Sequence, residues 1–354
     1  MLLYIHIPFC DSKCFYCAFN SYTDRFHLKS EYMKALKKQL KFDLNKYDIK
    51  HNSIETVFIG GGTPSTIKHY EYEEVFEIIK PYLVEGAEIT TEANPNSASQ
   101  VWLENMNKYG VNRVSFGVQS FNNDKLKFLG RAHNVNSAIN AIQRANSIGF
   151  NGINCDIIYG VQGDSIQSIK SDLDMAFSLP ITHLSAYSLT IEEGTKFFDR
   201  SSVKIDDEDL SYEIFDYIDK NCFKQYEISN FARDKKYESK HNYGYWEYKN
   251  YLGIGAGAVG CMNSRRYYPN KSIEEYISNP TNYEYEELSN DDIKTEKILL
   301  GFRCSNGVEK SIFTEDEMIK VNDLIEHDKL YLNNERVYNK NFLLSDELAL
   351  YILS

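Results

Sequence analysis

Leu2-Leu3-Tyr4-Ile5-His6-Ile7-Pro8-Phe9-Cys10-Asp11-Ser12-Lys13-Cys14-Phe15-Tyr16-Cys17 sets a strand and a three-thiol loop back to back. Residues 2–7 are mostly apolar, and Pro8 closes them, which predicts a short buried strand. The thiols follow at C-x3-C-x2-C spacing. Each thiolate can hold one iron of a cubane iron–sulfur cluster. The usual complement is four cysteines, so three leave one iron open, and an open position lets a metal centre bind a substrate or cofactor directly. Two other readings compete. One is a zinc ion with His6 or Asp11 as the fourth ligand, although the spacing is not the paired C-x2-C of common zinc modules. The other is buried or disulfide-bonded cysteine, which makes the clustering of Cys10, Cys14 and Cys17 an accident.

Working outward, apolar strands alternate with amphipathic stripes. Met33, Leu36, Leu40, Leu44 and Tyr47 recur at helical spacing with lysines between them. Residues 56–59 read as a strand that runs into Gly60-Gly61-Gly62-Thr63-Pro64. A helix through Val75, Phe76, Ile78 and Ile79 leads to a strand at 88–93, stopped by Asn94-Pro95. Trp102, Leu103 and Met106 mark the next helix, and 113–117 a fourth strand. The stripe Ala138, Ile139, Ile142, Ala145 and Ile148 ends at Gly149, a helix stop. Residues 152–159 form a fifth strand. Asp164 or Ser165 caps the helix of Ile166, Ile169, Leu173, Ala176 and Phe177, and 183–189 is a sixth strand. Six such units mean a parallel sheet. The polar signals all fall at or past strand C-terminal ends, where a β/α barrel gathers its chemistry. The fold class expected is α/β: a partial (β/α)6 TIM-like barrel with a C-terminal, mostly helical appendage.

Past residue 200 the alternation fades. Residues 206–223 look helical, 225–231 extended, and 253–258 a glycine-rich turn. Helices at 293–300 and 315–327, then a segment at 331–344, form the appendage. The boundaries expected are 1–200 for the barrel, 201–289 for a barrel-closing segment and 290–354 for a small C-terminal domain.

Composition narrows the function classes. A net charge of −12 argues against wrapping nucleic acid or an anionic membrane. No stretch approaches the ~20 apolar residues of a membrane span, and no export signal is read at the N-terminus. The remaining cysteines, Cys155, Cys222, Cys261 and Cys304, are scattered, as free thiols in a reducing cytosol are. A cytoplasmic protein is expected.

Gly60 to Thr63 lacks the Lys-Ser/Thr of a phosphate-binding loop. By itself it is a tight turn, with glycines that let a ligand approach the backbone and leave N–H groups free for a carboxylate. Glu92 ends a buried strand, where an unpaired carboxylate is costly and a ligand's hydroxyls or amine would satisfy it. The cysteine spacing, with Tyr16 just before the last Cys, resembles the signature of the radical S-adenosylmethionine (SAM) superfamily. That resemblance implies a [4Fe-4S] cluster whose fourth iron is chelated by SAM. Tyr4 to Cys10, Gly60 to Pro64, Glu92-Ala93-Asn94-Pro95, Arg113 to Ser120, Gly130-Arg131-Ala132-His133 and Asp156 to Gly160 occur in this order. Together they resemble the oxygen-independent coproporphyrinogen III oxidase family and, within it, the HemW haem chaperones. The resemblance implies that Tyr4, Gly61 and Glu92 line the cluster-bound SAM. It also implies that Tyr16, Gly62, Thr63, Gln119, Arg131 and Asp156 match positions around a second SAM in the oxidase.

Two features separate the relatives. The oxidase carries a further cysteine two residues after the third, where this chain has Phe19, and a long segment before its first strand, where this chain has three residues before Tyr4. His241-Asn242-Tyr243-Gly244-Tyr245-Trp246 matches the H-N-x-x-Y-W motif of the chaperones. It supplies flat aromatic surface and an imidazole, the usual axial ligand of haem iron; read without the resemblance, it is a loop histidine beside core aromatics. The expectation is a haem chaperone that binds haem through His241 and, with its cluster and SAM, delivers haem to acceptor haemoproteins, membrane-associated ones included. A homodimer is compatible with this reading, and coproporphyrinogen oxidase activity is not expected. The alternatives are radical SAM decarboxylation of coproporphyrinogen III and a zinc-stapled protein without redox activity.

Overall fold

The structure is a computed structural model describing residues 1–205 and 208–354. Six strands run in chain order: β1 (Leu2–Ile7), β2 (Ile54–Gly61), β3 (Leu83–Ala93), β4 (Arg113–Gln119), β5 (Gly152–Tyr159) and β6 (His183–Ser188). Between them lie α1 (Lys29–Lys46), α2 (Tyr70–Ile79), α3 (Gln100–Lys108), α4 (Asn123–Phe128), α5 (Val135–Ile148) and α6 (Ile166–Ser178). Each strand pairs in parallel with the next. The helix boundaries follow from their end residues. Asn134 caps α5, Gly149 stops it in the left-handed region at φ 98°, and Ser165, one of the two expected candidates, caps α6.

Alternation along the strands sorts the two faces. Val57, Ile59, Ile89, Val114, Phe116, Ile153, Cys155, Leu184 and Ala186 are buried and belong to the main hydrophobic cluster, which also takes in the apolar stripes of the helices. Each such Leu, Ile or Phe contributes roughly 1.5–3 kcal/mol. The alternate residues, among them Thr56, Glu88, Glu92, Ser115, Asn154, Asp156 and Ser185, are polar and form the concave side.

The later segments extend the same sheet at both ends. They comprise α7 (Glu208–Lys220), β7 (Lys224–Gln225), β8 (Asn230–Ala232), α8 (Lys240–Trp246), β9 (Tyr251–Ile254), β10 (Gly260–Met262), β11 (Arg265–Pro269), α9 (Ile273–Ser278) and β12 (Tyr283–Glu287). The strand order is β12-β11-β10-β9-β1-β2-β3-β4-β5-β6-β8-β7. The barrel is therefore open, with β12 and β7 at its edges. β9 lies parallel to β1, Leu2 opposite Tyr251 and Ile5 opposite Ile254.

Several expectations need adjusting here. Asp206, the first residue of the expected helix at 206–223, lies outside the described residues, and α7 itself ends at Lys220. The extended stretch at 225–231 is two short strands, because the chain reverses between β7 and β8. The glycine-rich turn begins only at Gly255, since Gly253 and Ile254 belong to β9. Beyond it, α10 (Asn290–Gly301), β13 (Val308–Glu309), α11 (Glu315–Glu326), β14 (Leu330–Asn333), β15 (Arg336–Asn339) and α12 (Ser345–Leu353) surround a separate apolar cluster that includes Ile298, Phe302, Val321, Val337 and Leu348. Its three-stranded sheet, ordered β13-β15-β14, was not foreseen. No helix among the described residues is long and apolar enough to cross a membrane.

Candidate functional site

The cysteine loop leaves the C-terminal end of β1 and is pinned at several points. Cys10 N donates to Tyr22 O at 3.1 Å, and Tyr22 N donates to Pro8 O at 2.8 Å. Phe15 N donates to Leu129 O at 3.1 Å, and Asn20 Nδ2 reaches the carbonyls of Ala256 and Lys271, both at 3.0 Å. His6 joins the strand to the loop. Its Nε2 lies 2.8 Å from Asn20 O and its Nδ1 2.9 Å from Tyr4 Oη. A carbonyl can only accept, so Nε2 carries the proton and Nδ1 accepts from the tyrosine. Burial holds this imidazole down at about 4, so it is neutral. Both nitrogens are spent, which leaves His6 none for a zinc ion.

Cys10, Cys14 and Cys17 line one cavity of about 460 Å3. Thr63 Oγ1 donates to Cys10 Sγ at 3.3 Å and Arg131 Nη1 to Cys14 Sγ at 3.1 Å. Burial pushes the thiols of Cys10 and Cys17 up. Among the described residues, no three His, Cys, Asp or Glu side chains converge as one ion needs. Three thiols around one cavity can each take one iron of a cluster.

Around the same cavity stand Tyr16, Gly61, Gly62, Thr63, Glu92, Gln119, Arg131 and Asp156. They reach it from six different segments: the cysteine loop, the ends of β2, β3 and β4, the turn after α4, and the C-terminal half of β5. Glu92 Oε2 accepts from Gly61 N at 2.9 Å. Burial, with the charge of Asp156 behind it, pushes this carboxyl up to about 8. Asp156 is raised by burial too, against hydrogen bonds from Ser185 and Asn154 and the nearby Arg131 charge. Gln119 holds a φ of 70° at an irregularity between β4 and β5, an uncommon conformation for a residue other than glycine. It is held there from behind: Ser120 Oγ and Phe121 N donate to Asp172 at 2.6 and 2.7 Å, and Asp172 shares Lys125 with Asp164.

One expectation about the glycine turn is corrected. Its N–H groups are not free: Gly61 N donates to Glu92, Gly62 N to Ile7 O at 2.8 Å and Thr63 N to Phe9 O at 2.7 Å. A carboxylate finds no donor there, so the turn suits a group that donates, such as an ammonium. Gly61 is also fixed by its neighbour, since its φ is +108° and a Cβ would sit 2.3 Å from His6 Cε1.

Tyr4 and His241 do not line this cavity. Tyr4 lies deeper on the concave side, against His6 and Phe58. His241 sits on α8, a helix where the sequence suggested a loop. Glu88 receives the first amides of α8, Lys240 N and His241 N, at 3.2 and 3.1 Å. The His241 ring is 1% exposed, stacks on Phe58 at 5.1 Å and meets Tyr245 edge-on at 5.0 Å. Nδ1 lies 2.7 Å from Thr56 Oγ1, and Nε2 has no partner. Burial lowers this imidazole to about 3. Thr56 is near the start of β2, whereas Gly61 ends it, so α8 plugs the opposite end of the barrel from the thiols. The reading also missed the wall at the end of β6 and just beyond it: Tyr187, Thr190 and Glu192 line the cavity. Their one signal was position, at or just past a strand's C-terminal end.

Three thiols on the loop after the first strand of an open β/α sheet are the layout of a radical SAM protein, and residues 4–176 match the radical SAM superfamily. Such proteins hold a [4Fe-4S] cluster and SAM, and the donor set above fits the cluster. The heme chaperone HemW of Bacillus subtilis is 32% identical, over 88% of this chain and 86% of its own length. That of Lactococcus lactis is 32% identical over 98% and 95%. The chain belongs to the HemW heme chaperone family. A solved structure of coproporphyrinogen III oxidase from Escherichia coli superposes with a TM-score of 0.82, covering 99% of this chain and 89% of that one, at 19% identity. At that identity the likeness speaks for the fold alone.

Proposed function

We propose that this protein is a haem chaperone: it binds haem and delivers it to acceptor haemoproteins, using a [4Fe-4S] cluster held by Cys10, Cys14 and Cys17, with SAM beside it. The observation that carries this reading is the similarity to HemW chaperones along nearly the whole chain. Phe19, 65% exposed at the cavity rim, adds to it by standing where the oxidase has its extra cysteine. A bound cluster supplies an electron at low potential and an open iron. The chain's own residues do the rest. Glu92 and the turn at Gly61 to Thr63 meet SAM, with Tyr4 behind them setting His6. Gln119, Arg131, Asp156 and Tyr16 wall the remaining space, which is room for a second SAM or another ligand. The reading extends to residues 290–354 as a unit with its own apolar core, to a cytoplasmic location, and to acceptors that include membrane-associated haemoproteins.

His241 is the candidate haem ligand within this reading. Its free Nε2 suits iron, and its burial means that α8 has to leave the barrel before iron can reach it. The oxidase alternative is tested in the same experiment: anaerobic protein, reconstituted with iron and sulfide, is assayed side by side for a haem Soret band and for coproporphyrinogen conversion with SAM and reductant. Haem binding without conversion is expected. Robust protoporphyrinogen formation would turn the reading to the enzyme.

A further inference from the structure

Arg131, on the turn after α4, is tied to the cysteine loop both by its guanidinium and by the turn that carries it. Nη1 donates to Cys14 Sγ at 3.1 Å and Nη2 to Gly117 O at 2.5 Å. Gly117 makes room for it, since a Cβ there would sit 3.1 Å from Nη2. The turn that carries Arg131 is fitted to the same loop. Leu129 O takes the amide of Phe15, and Gly130, at φ +73°, has the Phe15 ring where its Cβ would be, 2.6 Å away. A second donor, Thr63 Oγ1, lies on Cys10 Sγ. Among the residues lining the cavity, Arg131 is the one arginine.

Hydrogen bonds to cluster sulfurs are one of the levers that set a cluster's potential. Reduction by one electron adds negative charge that is shared onto the thiolate sulfurs. A charged donor of fixed geometry stabilises that state more than the oxidised one. We infer that Arg131 is a positioning residue for the cluster, raising its reduction potential through the bond to Cys14 and holding the loop through Gly117. The inference rests on the cluster reading above and adds to it a role for Arg131 that does not require SAM.

The test is a redox titration, without SAM, of anaerobically reconstituted wild type, Arg131→Gln and Arg131→Lys, with a low-potential reductant and mediators. Iron and sulfide are measured on every sample. Arg131→Gln should need a more negative potential. The expected shift is about tenfold in the reduced-to-oxidised ratio at a fixed potential, equivalent to about 59 mV for one electron. Arg131→Lys, which keeps the charge without the fork, should fall between. A midpoint unchanged in both variants at full iron content overturns the inference. If the variants lose the cluster, the wild type still decides: with guanidine-15N-arginine incorporated, pulsed electron paramagnetic resonance of the reduced cluster should show a nitrogen coupling, and none would overturn the inference. Wild-type protein that takes up no iron or sulfide fails the cluster reading itself, and the iron assay tells the two failures apart.

Discussion

Replacing His241 by Phe should separate a haem ligand from a barrel plug. Ala is the poorer probe. The imidazole is 1% exposed between Phe58 and Tyr245, so Ala opens a hole costing about 3–5 kcal/mol. Phe keeps the ring and most of the packing. Its cost is the Thr56 hydroxyl left without its partner, about 1–3 kcal/mol. The substitution also removes a titration. In the closed barrel His241 is held at about 3, against 6.5 when free. An opened α8 therefore takes up a proton that the closed form refuses. The stability this gives the closed form is full above pH 6.5 and is lost as pH falls toward 3. Between pH 7 and pH 5 the opening of α8 should become easier by about 2 kcal/mol, roughly 25-fold. Other groups at this end titrate as well: Glu227, raised to about 7 by burial, has the opposite sign. Glu227 is common to both proteins, so the wild type minus His241→Phe difference isolates the imidazole. The assay is hydrogen exchange of the α8 amides at both pH values, with Soret spectra of both proteins titrated with haem. Loss of the acid-dependent opening together with a shifted Soret band is expected of His241→Phe. A variant with the wild-type pH dependence refutes the burial argument, and one with the wild-type haem spectrum refutes the iron-ligand role.

Reconstituted wild type should hold about four irons and four sulfides; Ala at Cys10, Cys14 or Cys17 should abolish this, and Ala at Cys155, Cys222, Cys261 or Cys304 should not, as iron and sulfide analysis will tell. Adding SAM should alter the electron paramagnetic resonance signal of the reduced cluster. If SAM pairs with ionised Glu92, held at about 8, its apparent affinity relative to Glu92→Gln should rise about tenfold from pH 7 to pH 9, the titration of SAM's own amine being common to both. Gly61→Ala should cost about 2–4 kcal/mol by urea unfolding, because it forces both a positive φ and the His6 ring. Asp172→Ala strips the anchor from Ser120 and Phe121 and leaves Lys125 one carboxylate fewer; a loss of about 3–5 kcal/mol is expected in the same assay.

The parts of the site legible in the sequence share one property: they sit in short motifs beside a strand end. That is why Gly61, Glu92 and Gln119 could be brought to one face with the cysteines from the sequence, whereas Arg131 and Asp156 join them only through the family resemblance. Tyr4 stands back from the cavity wall: alternation gives the face of a strand but not the distance along it to the cavity. His241 is singled out by its match to the chaperone motif and by the chemistry of imidazole, neither of which carries a position in the fold. Nothing in six residues tells a helix packed under a barrel from a loop, and Gly244 within it argues against a helix by propensity. The structure supplies the reason for that glycine: a Cβ would lie 2.5 Å from Leu2 Cδ2, so only glycine lets α8 seat on β1. The amides of the glycine turn seemed free because their acceptors, Ile7 O and Phe9 O, belong to another strand's end. The small sheet of β13, β14 and β15 has strands of two to four residues, too short to show a period.

The pairing of β1 with β9 has a temporal side. Leu2 and Tyr251 are neighbours in the sheet, and the loop between them is nearly the whole barrel. Contacts this far apart in sequence form late. At a synthesis rate of roughly 5–20 residues per second, β1 waits on the order of 12–50 s for one of its two partners. The cysteine loop waits with it, because Asn20 is tied down by Ala256 and Lys271. During that interval the thiols lie on a loop that follows a strand with one side bare. Iron and sulfide delivered then would meet a loop not yet tied down, whereas delivery afterwards meets thiols already set around their cavity.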